Sequence, residues 1–282
     1  MNNSCISILS TFLLLVSPLQ TSCRPDNTNF YDNYYVTWGH DHALLLNQGR
    51  EIQLSLDRKS GSGFESKLRY GSGFFHIRMK LPAKNSTGVV TTFYLSSRSS
   101  HHDEIDIEFL GGPEYKLHTN IFTYGQGDRE QQIHLWFDPT KHFHSYKILW
   151  NAHQIVIYVD NVPIRVFKNK IKEGASYPAA QAMQIMGSIW KEEGWSSGGN
   201  KIDWSQAPFQ AHYQDFYIDG CVSKEDGGSC NSSRYWWNSR KYWRLNPKQE
   251  ISYQNVRRKY LTYDYCRDNS TSRAQHLECY NS

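Results

Sequence analysis

An all-β sandwich or jelly roll is the fold class the sequence predicts. Three observations predict it: short runs of alternating apolar and polar residues, turn residues between them at regular spacing, and no long helical period between about residue 30 and residue 220. The runs are EIQLSL from Glu51, FFHIRMKL from Phe74, VVTTFYL from Val89, DEIDIEFLG from Asp103, LHTNIFTY from Leu117, QIHLWF from Gln132 and FHSYKILW from Phe143. IVIYV and VPIRVF then flank Asp160 and Asn161, two turn formers that predict a tight hairpin. The Gly/Ser segments at Ser60 and Gly71 read as turns, since neither leads into a helix or carries the lysine of a phosphate cradle. Beyond Cys221 the composition shifts, and ISYQNVRRKYLTYDY sets Tyr253, Val256, Tyr260 and Tyr263 at helical spacing. One helix with a tyrosine stripe packed on the sandwich is expected there.

With 282 residues the chain is long enough for one large domain and a smaller extension. Its opening, MNNSCISILSTFLLLVSPLQTSC, holds an apolar run from Ile6 to Val16 followed by small residues, which reads as a secretory signal peptide over residues 1–23. The basic n-region is missing, so the α-amino group alone supplies charge there. The run is too short to span a bilayer comfortably, and no later stretch is apolar enough for a membrane helix. Cys5 and Cys23 belong to the leader, leaving Cys221, Cys230, Cys266 and Cys279. In an exported chain these imply two disulfides, and spacing favours Cys221–Cys230 with Cys266–Cys279 over the two other pairings. Zinc is the competing reading, but no Cys-x-x-Cys or paired His spacing accompanies them. Asn85, Asn231 and Asn269 head glycosylation sequons.

The net charge is +4, and it is uneven: from Asn231 onward ten Lys or Arg face four acids. A nucleic-acid surface is one reading of that tail. With an export signal, an anionic extracellular polymer or a solvated face fits better, and neither nucleic acid nor membrane is expected as a partner.

The run from Asp103 carries the chemistry. Glu104, Asp106 and Glu108 alternate with Ile105, Ile107 and Phe109, so a strand puts the three acids on one face and the three apolar side chains on the other. Like charges held together repel, and at least one carboxyl is expected to keep its proton near neutral pH. One protonated and one ionised carboxyl are what cleavage of a glycosidic bond needs: an acid for the leaving oxygen, and a nucleophile or base for the anomeric carbon. Asp106, shorter and central, suits a supporting hydrogen bond to one Glu. The competing reading is a surface strand showing its acids to solvent.

The surroundings suit a polysaccharide. Nine Trp and nineteen Tyr offer rings to stack on sugars. His118 and Asn120 alternate in register on the next strand, the polar turn QGDREQQ adds Asp128, Arg129 and Glu130, and Trp190, Trp195 and Trp204 fall in a Gly/Ser-rich stretch that reads as a loop. His142 and His144 share a strand face and His101 and His102 precede the acids, but such pairs are common on sandwich strands, and neither a metal nor another cofactor is expected.

HDEIDIEFLG, followed by LHTNIFTYGQGDREQQIHLWFDPT, closely resembles the plant xyloglucan endotransglucosylase/hydrolases, a branch of glycoside hydrolase family 16. The likeness extends upstream through YYVTWGHDHALLLNQGREIQLSLDRKSGSGFESK and downstream to the pair at Trp236, to YDYC at Tyr263 and to Cys279, covering nearly the whole mature chain. It implies a concanavalin-like β-jelly roll over residues 24–220, a C-terminal extension over 221–282, and a retaining mechanism through a covalent glycosyl-enzyme. Matching the family's motif, Glu104 is the implied nucleophile, Asp106 its assistant and Glu108 the general acid/base. The implied sugar contacts are His118, Thr119, Asn120, Asp128, Arg129, Glu130, Trp195 and Gly199. Gly194 stands where the family usually has an acid. FLGGPEYKLHTN lacks the sequon that family members often carry after the catalytic strand, and Thr271 occupies the place of a usual Arg, with Arg273 two residues on. The stretch Lys191 to Pro208 lacks the longer loop of the strictly hydrolytic branch, which favours transfer.

The resulting expectation is a secreted, monomeric enzyme of the cell wall and apoplast that cuts the β-1,4-glucan backbone of xyloglucan and passes the fragment to another glucan chain. A glucan endohydrolase is the alternative within enzymes. A non-catalytic lectin is the alternative outside them, since the same sandwich hosts binding proteins.

Overall fold

The computed structural model describes residues 29–195, 198–223, 228–268 and 276–280. The leader, Asn269, Thr271 and Arg273 lie outside the described residues. In chain order the strands are β1 (Tyr34–Trp38), β2 (Ala43–Leu46), β3 (Glu51–Leu56), β4 (Ser62–Ser66), β5 (Tyr70–Lys80), β6 (Val89–Ser96), β7 (Glu104–Leu110) and β8 (Lys116–Phe122). They continue with β9 (Gln131–His134), β10 (His144–Trp150), β11 (Gln154–Val159), β12 (Val162–Lys168), β13 (Gln184–Lys191), β14 (Phe209–Val222) and β15 (Leu261–Asp264). Among the described residues these form an eight-stranded sheet in the order β1-β4-β13-β6-β7-β8-β9-β15 and a seven-stranded sheet in the order β12-β11-β10-β5-β14-β3-β2. Every pairing is antiparallel. The two sheets make the jelly-roll sandwich that the alternating runs predict.

The core lies between the sheets. Ile105, Ile107 and Phe109 of β7 meet Phe93 and Leu95 of β6, Leu117 and Ile121 of β8, and Ile77, Tyr146 and Ile148 of the facing sheet, all buried in one cluster. Burying side chains of this size is worth about 1.5–3 kcal/mol each, and the period of two leaves no choice about the other face: every acid of β7 is turned away from the core. A second, smaller cluster covers the outer face of the seven-stranded sheet, where Leu149, Val156 and Tyr158 pack under Trp237 and the Cys221–Cys230 disulfide. The other disulfide joins Cys266 to Cys279, so both pairs are those that spacing favours.

Three local expectations are corrected. The segments at Ser60 and Gly71 are not simple turns: Ser62–Ser66 is β4, and Gly71, Ser72 and Gly73 lie inside β5. Glycine is there because neighbours come close. A Cβ on Gly63 would sit 2.4 Å from Nε1 of Trp38, and one on Gly73 2.8 Å from Cα of Gly220. Trp190 lies in β13 rather than in a loop. The helix, α2 (Pro247–Lys259, the second after the short α1 at Phe30–Asn33), begins at a capping box between Asn246 and Gln249 and ends in Arg257, Arg258 and Lys259, which suit the negative end of its dipole. It packs on β12 and buries Val256, but it stops before Tyr263, which pairs with Gln132 as β15 adds itself to the sheet edge.

Candidate active site

Register builds the site. On the outer face of β7, Glu104 stands opposite Ser96 on β6 and Phe122 on β8, Asp106 opposite Tyr94 and Asn120, and Glu108 opposite Thr92 and His118. Asp106 is buried, while Glu104 and Glu108 are half-buried. Burial, followed by the charges of Glu104 and Glu108 and a hydrogen bond to Glu104, pushes the Asp106 carboxyl well above the ordinary carboxylate range. Burial raises Glu104 too, and a hydrogen bond from Ser96, the charge of His102 and a hydrogen bond from Asp106 offset only part of that. The middle carboxyl is the most strongly raised of those shifted, and in its protonated form it can donate to Glu104. Glu108 has its own partner: its Oε2 lies 2.9 Å from Nδ1 of His118. The last acid is thus held toward β8, while Glu104 has the polar Ser96 opposite it on β6 and the apolar Phe122 on β8.

Trp195 extends the β8 side. Its ring is exposed and its centroid lies 5.4 Å from that of His118. The loop that carries it is drawn together by the Gly199 amide, which donates to the Gly194 carbonyl at 3.1 Å with Gly199 at a positive φ of 84°. The side chain of Asn120 is fixed rather than free, its Oδ1 accepting from the backbone amides of Ile121 at 2.8 Å and Arg129 at 3.1 Å. Its Nδ2 faces Glu130 Oε1 at 3.4 Å, and Asp128 is exposed in the adjoining turn.

Two expected sugar contacts are placed elsewhere. Thr119 alternates to the core face, fully buried, where its hydroxyl and carbonyl accept from Nη1 of Arg165 at 2.8 and 2.7 Å. Arg129 turns inward as well, and its Nε donates to Glu278 at 2.7 Å with both side chains about 5 % exposed. Thr119 ties β8 to β12 through Arg165, and Arg129 ties its turn to the C-terminal segment through Glu278; neither side chain reaches the open face.

Residues not singled out from sequence complete that face on the β6 side. Tyr94 stands beside Asp106, its phenol raised by burial and by Glu104, so it remains a neutral donor. The strict alternation of Thr92, Tyr94 and Ser96 in VVTTFYLS was a readable signal for it. Further out, Glu65, Arg98 and Gln184 form a polar group whose partners come from three separate segments.

Two half-buried glutamates with a buried acid between them lie on the open face of this sandwich, and the chain is a family 16 glycosyl hydrolase: the model of Glycosyl hydrolases family 16 matches residues 30–206. A second model, the xyloglucan endo-transglycosylase C-terminus, matches residues 231–279. The chain belongs to the xyloglucan endotransglucosylase/hydrolase family. It is 49% identical over 283 residues to xyloglucan endotransglucosylase/hydrolase protein 2 of Arabidopsis thaliana, covering 98% of this chain and 97% of that one. It is 47% identical to xyloglucan endotransglucosylase protein 34 of Populus tremula x Populus tremuloides, covering 91% of this chain and 89% of the relative. Among solved structures, the Bacillus licheniformis beta-glucanase superposes with a TM-score of 0.56 at 26% identity, over 71% of this chain and 96% of that one. The Crh5 transglycosylase, at 22% identity and a TM-score of 0.57 over 71% of this chain and 84% of its own, shares the fold.

Proposed function

We propose that this chain is a secreted endotransglucosylase that cuts the β-1,4-glucan backbone of xyloglucan with retention and joins the fragment to a second glucan chain. The observation that carries the reading is the placement of two glutamates on one open strand face, Glu108 bonded to His118 of β8, with the buried carboxyl of Asp106 between them. Glu104 attacks the anomeric carbon as a carboxylate, and the C1–O4 bond breaks as Glu108, which enters this step as the protonated acid, gives its proton to the departing oxygen. Asp106 donates to Glu104 and holds it as a carboxylate in the resting enzyme. Glu108, now ionised, takes the proton of the acceptor's 4-hydroxyl, whose oxygen displaces Glu104 and restores the β-linkage. Water is the competing acceptor at this step. A difference of about 1.4 kcal/mol between the two barriers changes the partition tenfold.

The names of the relatives support xyloglucan as the substrate. The apolar leader supports export to the cell wall and apoplast, and Asn85 and Asn231, both exposed, suit glycosylation. No helix of the described residues is long and apolar enough to cross a membrane. The reading includes a monomer divided into a catalytic sandwich and a disulfide-stapled extension.

The test is incubation with xyloglucan and a fluorescent xyloglucan oligosaccharide, following label in polymer and new reducing ends together. Label entering polymer well ahead of reducing ends is the expected result. Reducing ends without label would make the chain a hydrolase, and binding with neither signal would make it a lectin.

A further inference from the structure

The face on the Glu104 side of β7 carries a group of side chains that the chemistry does not use. One cross-strand file runs Asp106, Tyr94, Met186, Glu65 and Tyr35 over β7, β6, β13, β4 and β1. A parallel file runs Glu104, Ser96 and Gln184. Glu65 and Gln184 are both buried, yet both face outward from the core. Each oxygen of the Glu65 carboxylate is bound: one accepts from the Tyr35 hydroxyl, the other from Arg98. The Arg98 Nε donates to Gln184 at 3.0 Å, and the Gln184 amide donates to the Ser66 carbonyl at 2.7 Å. Arg98 itself is half exposed, against 4% for its partner.

Such an arrangement is costly unless it is used. A carboxylate taken out of water on an open face, where an apolar residue would pack as well, gains little stability from its partner. What it does secure is position: the guanidinium is held through Nη2 by Glu65 and through Nε by Gln184, while the side chain stays half exposed on the open face. Three strands at about 4.8 Å separate Glu65 from Asp106, so the pair stands on the order of 15 Å from the acids. That is several sugar rings along a chain bound across the strands.

The bond from Glu108 to His118, with Trp195 beside it, puts the general acid and the exposed ring on the β8 side. On the proposed mechanism these serve the leaving and incoming chains, and the donor fragment bonded to Glu104 extends the other way, across β6. We infer that the Glu65–Arg98 pair, anchored by Tyr35 and Gln184, is a distal donor subsite in which Arg98 hydrogen-bonds hydroxyls of a neutral glucan and so sets the length and position of the donor. The inference rests on the proposed assignment of Glu104 and deepens it.

The test compares Arg98→Gln with the double variant Glu65→Gln/Arg98→Gln, which leaves no buried charge unpaired and keeps an amide at each position. In the transfer assay both variants are expected to raise the KM for donor xyloglucan about tenfold, the effect of one charge-assisted hydrogen bond of about 1.4 kcal/mol. The KM for the labelled acceptor should stay within about twofold, a split that general loosening of the fold would not give. Unchanged donor KM in both variants, or an equal rise for donor and acceptor, overturns the proposal. Binding is measured separately in the Glu104→Ala background with a long xyloglucan oligosaccharide, comparing Arg98 with Arg98→Gln. A tenfold loss there supports the subsite even where no transfer is seen and the reaction assignment has failed, and equal binding overturns it.

Discussion

Replacing Asp106 by Asn keeps the shape and a donor for Glu104 but removes an ionisable group. In the folded protein Asp106 holds its proton far more tightly than an unfolded aspartate, chiefly through burial and secondarily through Glu104 and Glu108. A carboxyl raised on folding contributes fully at pH values below about 4, where the unfolded form is also protonated, and costs stability as pH rises from there toward its folded value. The amide of Asp106→Asn cannot incur that cost. Each pH unit above about 4 at which the folded carboxyl stays protonated costs about 1.4 kcal/mol relative to the ionised unfolded aspartate, so about 2 kcal/mol is already lost by about pH 5.5. In a chain of this size about 2 kcal/mol corresponds to about 4–8 °C in the unfolding midpoint. The variant should therefore match the wild type near pH 4 and exceed it by several degrees at pH 7 to 8, by scanning calorimetry at each pH. Transfer should fall, but by less than in Glu104→Ala, because the amide still donates to Glu104. A stability gap that is constant with pH, or that closes as pH rises, would show that Asp106 is not held protonated in the folded protein.

Two further outcomes follow from the placement of other side chains. Arg165→Met removes a buried guanidinium from the Thr119 carbonyl and hydroxyl and from the Arg129 carbonyl, leaving three acceptors without it, and should lower stability by about 3 kcal/mol or more in urea titrations. Trp195→Ala, at an exposed ring, should leave that stability within about 0.5 kcal/mol while raising the KM of the acceptor oligosaccharide and not that of the donor.

What was legible in the sequence was what strand periodicity alone controls. β7 declares itself because its buried residues are large and apolar and its outer ones are all acids, and the hairpin at Asp160 and Asn161 falls between two apolar runs. β4 and the start of β5 were hidden because their glycines serve close approach to Trp38 and Gly220, partners distant in sequence, and a local reading takes such glycines for turns. Tyr263 fits a helical period by coincidence, and the open edge of β9 claims it as a strand. At the site, alternation pointed to His118 and Asn120 and, read strictly, already excluded Thr119 between them. No local pattern announces that Arg129 is withdrawn into an ion pair with Glu278, or that Arg98 reaches Glu65, since each contact joins segments brought together only by the folded sheets.

The proposed covalent role of Glu104 is to carry the sugar between donor and acceptor. It is tested most directly by reacting the protein with a xyloglucan oligosaccharide bearing an activated leaving group at its reducing end and a slow-turnover substituent, quenching in acid and sequencing the labelled peptide by mass spectrometry. The account requires one glycosyl adduct on Glu104, absent in Glu104→Ala and released when an acceptor oligosaccharide is added before the quench. An adduct on Glu108, or rapid turnover with no adduct on either residue, would contradict it.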